Sequence, residues 1–140
     1  MTELLQDTVR QAIHTKQPLV IVGGGTKSFL GRDTRGDPLA VGEHRGIVNY
    51  DPSELVITAR AGTPLAEVEA MLAQQGQMLA FEPPHFGANA TLGGTLACNL
   101  SGPRRPYAGA ARDFVLGVRL LNGHGEVLRF GGEVMKNVAG

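Results

Sequence analysis

One stretch of the sequence constrains the fold more than any other, because it has almost no side-chain volume where a globular core needs bulk. Residues 91–102 read Thr-Leu-Gly-Gly-Thr-Leu-Ala-Cys-Asn-Leu-Ser-Gly. Leu92, Leu96 and Leu100 recur every four residues, which predicts one apolar helical face. The small residues between them leave two interpretations open: a surface of backbone N–H donors that binds an anion, or a place where two backbones pack closely.

A second stretch of the same kind favours the anion-binding interpretation. A short apolar strand runs directly into three glycines, two hydroxyl residues and a lysine: Gly23, Gly24, Gly25, Thr26, Lys27 and Ser28. Two such stretches predict one large ligand with phosphates at its centre. The spacing excludes a P-loop, which requires glycines where Ile21 and Thr26 stand, and the common dinucleotide fingerprint, which requires a third glycine at Ser28.

The composition excludes several classes of function. Thirteen basic and thirteen acidic residues cancel, so the chain has no electrostatic footprint for nucleic acid or an anionic membrane surface. The longest apolar runs are far shorter than the roughly 20 residues that span a bilayer, and the first residues do not resemble a secretion signal. The single cysteine, Cys98, excludes an internal disulfide. We interpret it as a small buried residue rather than a nucleophile or metal ligand, and no metal site is predicted.

Periodicity and turn residues predict short helices and strands. Thr2 is expected to cap a first helix with an apolar stripe at Leu4, Leu5, Val9, Ala12 and Ile13. Strands are predicted at residues 19–22, where the strand is expected to be buried, and at 38–41, 46–50 and 55–60, and Lys27 and Ser28 are expected to begin a helix. Thr63 is expected to cap a helix that begins at Pro64, ends at Gly76 and buries Leu65, Val68, Met71 and Leu72. Residues 114–121 and 126–130 predict a hairpin.

Two segments beside the central stretch carry side chains of chemical interest. Pro83 and Pro84 fix an extended backbone, and His85 follows them. We interpret His85 as a hydrogen-bonded bystander without a visible partner, with a general base or a covalent attachment point for a cofactor as the alternatives. Arg104 and Arg105 are interpreted as an exposed basic turn, with contact to an anionic substrate or a partner subunit as the alternatives.

Several motifs together carry a resemblance to a known family. In chain order they are residues 23–26, 82–84, 91–94, 98–102 and 132–140. This ordered set resembles the FAD-binding domain of the vanillyl-alcohol oxidase / p-cresol methylhydroxylase family, and within it the FAD-binding subunits of bacterial glycolate oxidases. The resemblance implies an α+β fold, the PCMH-type FAD-binding domain with two small α/β subdomains. Residues 1–88 would form the first subdomain, and residues 89–140 would begin the second, which is incomplete at the C-terminus.

The resemblance also implies the cofactor FAD and the residues that bind it. The two glycine-rich loops would hold the FAD diphosphate with backbone N–H groups, and backbone from Pro84 to Ala90 would lie along the flavin. Thr26, Ser28, Thr91 and Ser101 would add hydroxyl donors, and Asn99 would bond either phosphate or ring. The expected cofactor-binding residues are Gly23, Gly24, Gly25, Thr26, Lys27, Ser28, Pro84, Thr91, Gly93, Gly94, Ala97, Asn99, Ser101 and Gly102.

The implied flavin is bound without a covalent link. Family members that attach flavin through the first glycine loop carry a histidine there, whereas Thr26 follows the glycines in this chain. The implied reaction is that of an FAD-dependent oxidoreductase acting on the CH–OH group of a 2-hydroxy acid: glycolate to glyoxylate, with hydride transfer to FAD. Electrons would pass to an iron-sulfur subunit of a hetero-oligomer that also contains a second flavin subunit.

Two other functions remain open at this point. One is D-lactate dehydrogenase or another alcohol oxidase of the same fold, and the other is a non-catalytic partner subunit that merely resembles the FAD domain. The resemblance implies a cytoplasmic protein without a transmembrane segment, with a peripheral position at the inner membrane as the alternative.

The last residues carry one further expectation. In the family, the segment at Lys136–Gly140 continues into a final flavin-binding turn, so we expect a fragment that lacks the rest of the FAD domain and the substrate-binding cap. Such a fragment alone is expected to bind FAD weakly or not at all, and to be inactive. The groups that bind the carboxylate and remove the hydroxyl proton are expected in the cap, so no catalytic residue is assigned in this sequence.

Overall fold

The computed structural model describes residues 1–133, and its helices and strands follow one another in separate groups along the chain, which confirms the predicted α+β class. The helices are α1 (Thr2–Thr15), α2 (Leu65–Ala73), α3 (Leu92–Cys98) and α4 (Arg105–Ala108), with a 3-10 helix at Ala111–Phe114. The strands are β1 (Leu19–Val22), β2 (Asp37–Ala40), β3 (Ile47–Asp51), β4 (Val56–Ala59), β5 (Gly117–Leu121) and β6 (Val127–Gly131).

Within the described residues the strands form three two-stranded sheets. β1 and β2 are parallel, with Leu19 opposite Asp37, while β3 and β4 are antiparallel with a bulge between Ile47 and Asn49. β5 and β6 form the predicted antiparallel hairpin. Its turn is closed by Asn122, whose side-chain oxygen accepts hydrogen bonds from two backbone amides further along the turn. The proposed boundary between residues 88 and 89 stays a prediction.

Several local predictions at the N-terminal side are wrong. Thr2 is already helical, because the amide of Leu5 donates to the carbonyl of Met1 and so makes Met1 the N-cap of α1. In the predicted stripe Val9 is buried, but Leu4 and Ile13 are exposed. Ile21 is also exposed although its strand was expected to be buried.

Three further segments differ from the sequence pattern. Residues 26–29 form a turn instead of the start of a helix, closed by a hydrogen bond from the Leu30 amide to the Lys27 carbonyl. Gly31 then redirects the chain with a φ of 82°, which ends any helical continuation. The basic segment after the central stretch forms the short helix α4, and Phe114 lies in the 3-10 helix instead of the hairpin.

The core lies where α2 meets α3. Leu65, Val68 and Leu72 of α2 are buried as predicted, and Met71 is partly exposed. The residues before the two helices pair as an isolated antiparallel bridge between Pro64 and Thr91. Two hydrogen bonds flank this bridge: the Leu65 amide donates to the Ala90 carbonyl at 2.8 Å, and the Leu92 amide donates to the Thr63 carbonyl at 2.9 Å. The start of α3 is therefore fixed relative to α2.

Thr63 connects this junction to the β3–β4 sheet. It was expected to cap α2, but Pro64 occupies the N-cap position, and the Thr63 side chain is fully buried and points to Gly46 instead. The hydroxyl of Thr63 accepts a hydrogen bond from the Gly46 amide at 2.9 Å and donates to the Gly46 carbonyl at 3.2 Å. One side chain thus satisfies two backbone groups at the entry to β3.

The first helix is held against the hairpin at its turn. The side chains of Gln6 and Arg10 both donate to the carbonyl oxygen of Gly125, at 3.1 Å and 3.2 Å. No helix among residues 1–133 is both long enough and apolar enough to cross a bilayer. The expectations that concern residues 134–140, which include most of the last resemblance motif, lie outside the described residues.

Replacing Thr63 by valine is expected to destabilise the protein that carries this chain by about 1–3 kcal/mol, because the shape is kept while the Gly46 amide loses its acceptor. The free energy of unfolding in urea measures this loss. Thr15→Val is the matched control, since Thr15 is exposed and should change stability by about 0.5 kcal/mol or less. Equal effects of the two substitutions would contradict the assigned role of Thr63.

Candidate functional site

Two loops lie side by side near the start of α3. We name residues 23–28 the glycine loop and residues 85–90 the second loop. A methyl group added at Gly24 would overlap the carbonyl oxygen of Asn89, and one added at Gly87 would sit 3.4 Å from the side chain of Thr26. Just beyond the glycine loop, Phe29 meets Phe86 edge to face, with ring centroids 5.1 Å apart. The chain segments therefore run past each other in close contact.

Thr91 joins both glycine-rich stretches at one point. A Cβ at Gly23 and a Cβ at Gly94 would each lie 3.1 Å from the hydroxyl oxygen of Thr91. The two stretches that the sequence separates by more than 60 residues thus converge on a single side chain. This is the spatial relation that one shared ligand requires.

The backbone amides of both loops have no acceptor in the described part of the chain. The N–H groups of residues 23–28 and of residues 85–90 form no hydrogen bond to backbone or side chain there. Most of these residues are exposed or partly exposed, so an incoming ligand can reach their amides. Consecutive amide donors without internal acceptors are suited to bind the oxygens of a phosphate group.

The central stretch, in contrast, uses its amides internally. At the start of α3, the Leu92 amide donates to Thr63, the Gly93 amide to the Ala61 carbonyl at 2.7 Å, and the Gly94 amide to the Thr91 hydroxyl at 3.1 Å. The close-packing interpretation therefore accounts for Gly93, where a Cβ would lie 2.8 Å from that of Ala61. The amides of Gly93 and Gly94 thus already have acceptors within the protein, and the role of these two residues in cofactor binding stays a prediction.

Two of the predicted hydroxyl donors are also engaged within the protein. Ser101 is buried, and its oxygen accepts a hydrogen bond from the Ala111 amide at 2.9 Å while donating to the Asn99 carbonyl at 3.3 Å. Thr91 caps α3 through the bond from Gly94. Gly102 serves close packing, since a Cβ there would overlap the carbonyl of Glu82. The other two predicted hydroxyl donors, Thr26 and Ser28, lie in the glycine loop, and their role in cofactor binding stays a prediction.

Asn99 and Ala97 lie at the other end of α3. Asn99 ends the helix in a left-handed conformation with φ of 49°, and its side chain borders an open cavity of about 320 Å³. Ala97 is exposed on the same helix. The cavity is lined by Leu96, Asn99, Arg112, Val115 and Val118. It is mostly apolar, with one amide and one guanidinium group as its polar side chains.

Each loop carries one nitrogen-bearing side chain, Lys27 in the glycine loop and His85 in the second loop. The ammonium group of Lys27 lies 3.4 Å from the Thr26 hydroxyl and forms no ion pair with a carboxylate among residues 1–133. His85 at the start of the second loop does have a partner: its Nε2 lies 3.0 Å from one carboxylate oxygen of Glu69 on α2. Sequence reasoning missed this contact, because Glu69 precedes His85 by 16 residues and no motif connects them.

Sequence patterns predicted fewer site residues in the second loop than in the other parts of the site. Backbone from Pro84 to Ala90 was expected along the flavin, but only Pro84, which is partly exposed, was singled out there. Sequence patterns did not single out four residues further along, whose amides have no acceptor among residues 1–133: Phe86, Gly87, Ala88 and Asn89. The sequence offered one signal, a glycine at position 87, which comes three residues after the rigid Pro83–Pro84 pair. In the structure Gly87 has a φ of 132°, in the region that favours glycine.

Comparison with known proteins gives a family and several relatives. The family model described as FAD binding domain matches residues 2–131. The chain is 62% identical over 139 residues to glycolate oxidase subunit GlcE of Escherichia coli K12, which covers 99% of this chain and 40% of that protein. It is 30% identical over 125 residues to a D-lactate dehydrogenase of Archaeoglobus fulgidus, covering 88% of this chain and 28% of that protein. The chain thus spans well under half the length of these relatives.

A solved structure shares the fold at low sequence identity. Alkyldihydroxyacetonephosphate synthase superposes with a TM-score of 0.72 at 22% identity, covering 91% of this chain and 25% of that one. Together with the family match, this confirms the PCMH-type fold that the sequence motifs predicted.

Gly24→Ala is expected to push the two loops apart, because the added methyl group overlaps the Asn89 carbonyl and one of the two backbones must shift. The expected cost is about 1–3 kcal/mol of stability, together with a lower flavin-to-protein ratio after purification. Gly123→Ala is the matched control, since a Cβ at Gly123 has open space around it. An unchanged flavin content in Gly24→Ala, with stability equal to that of the control, would contradict the close contact of the loops.

Proposed function

Because this chain belongs to the FAD binding domain family, we propose that its glycine loop and second loop together hold the diphosphate of a non-covalently bound FAD. The observation that carries the proposal is the convergence of two exposed loops whose amides have no acceptor among the described residues. The resemblance alone would place the donors in both glycine-rich stretches. We propose donors in the second loop instead of Gly93 and Gly94, because the amides of these two glycines already have acceptors within the protein.

The chemistry of the loops fits a diphosphate. Glycines at positions 23–25 allow phosphate oxygens to approach the main chain without a Cβ in the way, and the hydroxyls of Thr26 and Ser28 add donors. Lys27, which forms no ion pair among residues 1–133, adds a positive charge that offsets part of the negative charge of the ligand. Bound FAD supplies the redox chemistry of the family, the acceptance of a hydride from a carbon that carries a hydroxyl group.

The proposed substrate class is a 2-hydroxy acid, and glycolate is the preferred member. This rests on the high identity to glycolate oxidase subunit GlcE, against about half that identity to the D-lactate dehydrogenase. We further propose that the protein works in the cytoplasm within a hetero-oligomer that contains a second flavin subunit and an iron-sulfur subunit. This chain has one cysteine, too few to hold an iron-sulfur cluster by itself, so we assign the cluster to the partner subunit.

Glycolate is expected to bleach the flavin absorption band of the full-length protein, purified without the second flavin subunit, when it is added without oxygen. Reduction of the flavin removes this band, so bleaching reports hydride transfer directly. Acetate, which has the carboxylate but no hydroxyl group, is the control and should leave the band unchanged. Faster bleaching by D-lactate than by glycolate would favour the D-lactate dehydrogenase alternative, and no bleaching by any 2-hydroxy acid would favour a non-catalytic subunit.

Acid precipitation of the same protein is expected to release its flavin into the supernatant. The loop carries Thr26 where family members with a covalent link carry histidine, so no bond should hold the flavin to the denatured chain. Absorbance of the supernatant and the pellet measures the distribution. Flavin that stays with the precipitated protein would contradict non-covalent binding.

A further inference from the structure

The second loop begins at a segment whose backbone is held on both sides. Glu82 donates its amide to the Ser101 carbonyl at 3.1 Å, and its carboxylate lies 3.9 Å from the guanidinium of Arg104. Pro83, which is buried, and Pro84 then restrict the backbone to an extended course. The chain is therefore fixed in position up to His85, the first residue of the second loop.

His85 is held in turn by α2. Its Nε2 lies 3.0 Å and 3.2 Å from the two carboxylate oxygens of Glu69, and both side chains are partly exposed. Glu69 is on a well-packed helix, because Leu65, Val68 and Leu72 of the same helix are buried and Glu69 lies beside the face that they form. The contact joins the best-packed helix of the described chain to the loop that carries free amide donors.

The residue after His85 has an unusual backbone conformation. Phe86 has a φ of 52°, in the left-handed region that a bulky side chain rarely adopts. Such a conformation costs free energy and persists where the surroundings determine it. Two contacts surround it: the Glu69–His85 pair on one side, and the edge-to-face packing of Phe86 on Phe29 on the other. The left-handed turn at Phe86 brings Gly87 against Thr26 of the glycine loop.

We propose that His85 is a positioning residue: through its contact with Glu69, it sets the course of the second loop so that the amides of residues 86–89 face the same ligand as the glycine loop. The inference rests on the proposed function, because it concerns binding of the same FAD. It assigns His85 a role in positioning the loop, through the contact of its Nε2 with the carboxylate of Glu69. It also assigns Glu69 a function that no sequence motif indicates.

The first test measures the affinity of FAD for the flavin-depleted complete protein, by quenching of flavin fluorescence. Glu69→Ala is expected to raise the Kd for FAD about tenfold, because the loop loses its support from α2. Glu69→Gln keeps an oxygen that accepts a hydrogen bond from His85 and should restore most of the affinity. Glu67→Ala is the matched control, since Glu67 is an exposed carboxylate on the same helix and has no side-chain partner among residues 1–133.

The second test asks whether the two side chains act through each other. In a double-mutant cycle, His85→Ala should raise the Kd for FAD strongly in the parent protein and hardly at all in Glu69→Ala. Additive effects of the two substitutions would overturn the proposal. A further readout needs no cofactor: amide hydrogen exchange of residues 86–89 in the flavin-free protein should become faster in Glu69→Ala but not in Glu67→Ala.

The outcomes separate this inference from the function on which it rests. If Glu69→Ala and His85→Ala bind FAD as the parent does, the positioning role is overturned while FAD binding stands. If His85→Ala keeps its affinity for FAD but loses turnover with glycolate, His85 acts on the reaction itself and the proposal is likewise overturned. If the parent protein binds no FAD at all, the proposed function fails and the positioning role fails with it.

Discussion

The close approach of two backbones, at Gly24 and Asn89, is the constraint on which the rest of the site depends. No side chain other than hydrogen fits at Gly24 without displacing the Asn89 carbonyl. The bridge between Pro64 and Thr91 fixes the chain just after Asn89, and the β1–β2 pair fixes it just before Gly23. Because both loops are attached to hydrogen-bonded elements at this crossing, their amides, which have no acceptor among residues 1–133, are held in place before any ligand arrives. Donors that need no reorganisation bind an anion with less loss of conformational entropy.

The glycines of this chain serve two different physical purposes. In the glycine loop they leave the main chain accessible, and the amides there have no acceptor among the described residues. In α3 and at Gly102 they allow segments to pack, since Gly93 lies against Ala61 and Gly102 against Glu82. The packing glycines bring the second loop into position, and the accessible glycines meet the ligand. One stretch therefore supports the site while the other forms part of it.

Sequence patterns predicted the parts of the fold that depend on local chemistry. The buried face of α2 and the β5–β6 hairpin follow from apolar spacing and from the turn that Asn122 closes. Patterns failed where a distant partner decides the outcome. Thr63 looks like a helix cap, but the Gly46 backbone competes for its hydroxyl. The Gly93 amide looks free, but the Ala61 carbonyl occupies it. The partner of His85 is equally hidden, because Glu69 reaches it only in the folded chain.

The glycine loop and the second loop, rather than Gly93 and Gly94, are proposed to donate hydrogen bonds to FAD. Amide hydrogen exchange, compared between the FAD-loaded and the flavin-depleted complete protein, tests this proposal most directly. FAD is expected to slow exchange at residues 24–28 and 86–89, whose amides have no acceptor among residues 1–133. The amides of Gly93 and Gly94 should exchange slowly in both states, because Ala61 and Thr91 already bind them. Protection that FAD adds at Gly93 and Gly94, with no change in the two loops, would contradict this assignment of the flavin site.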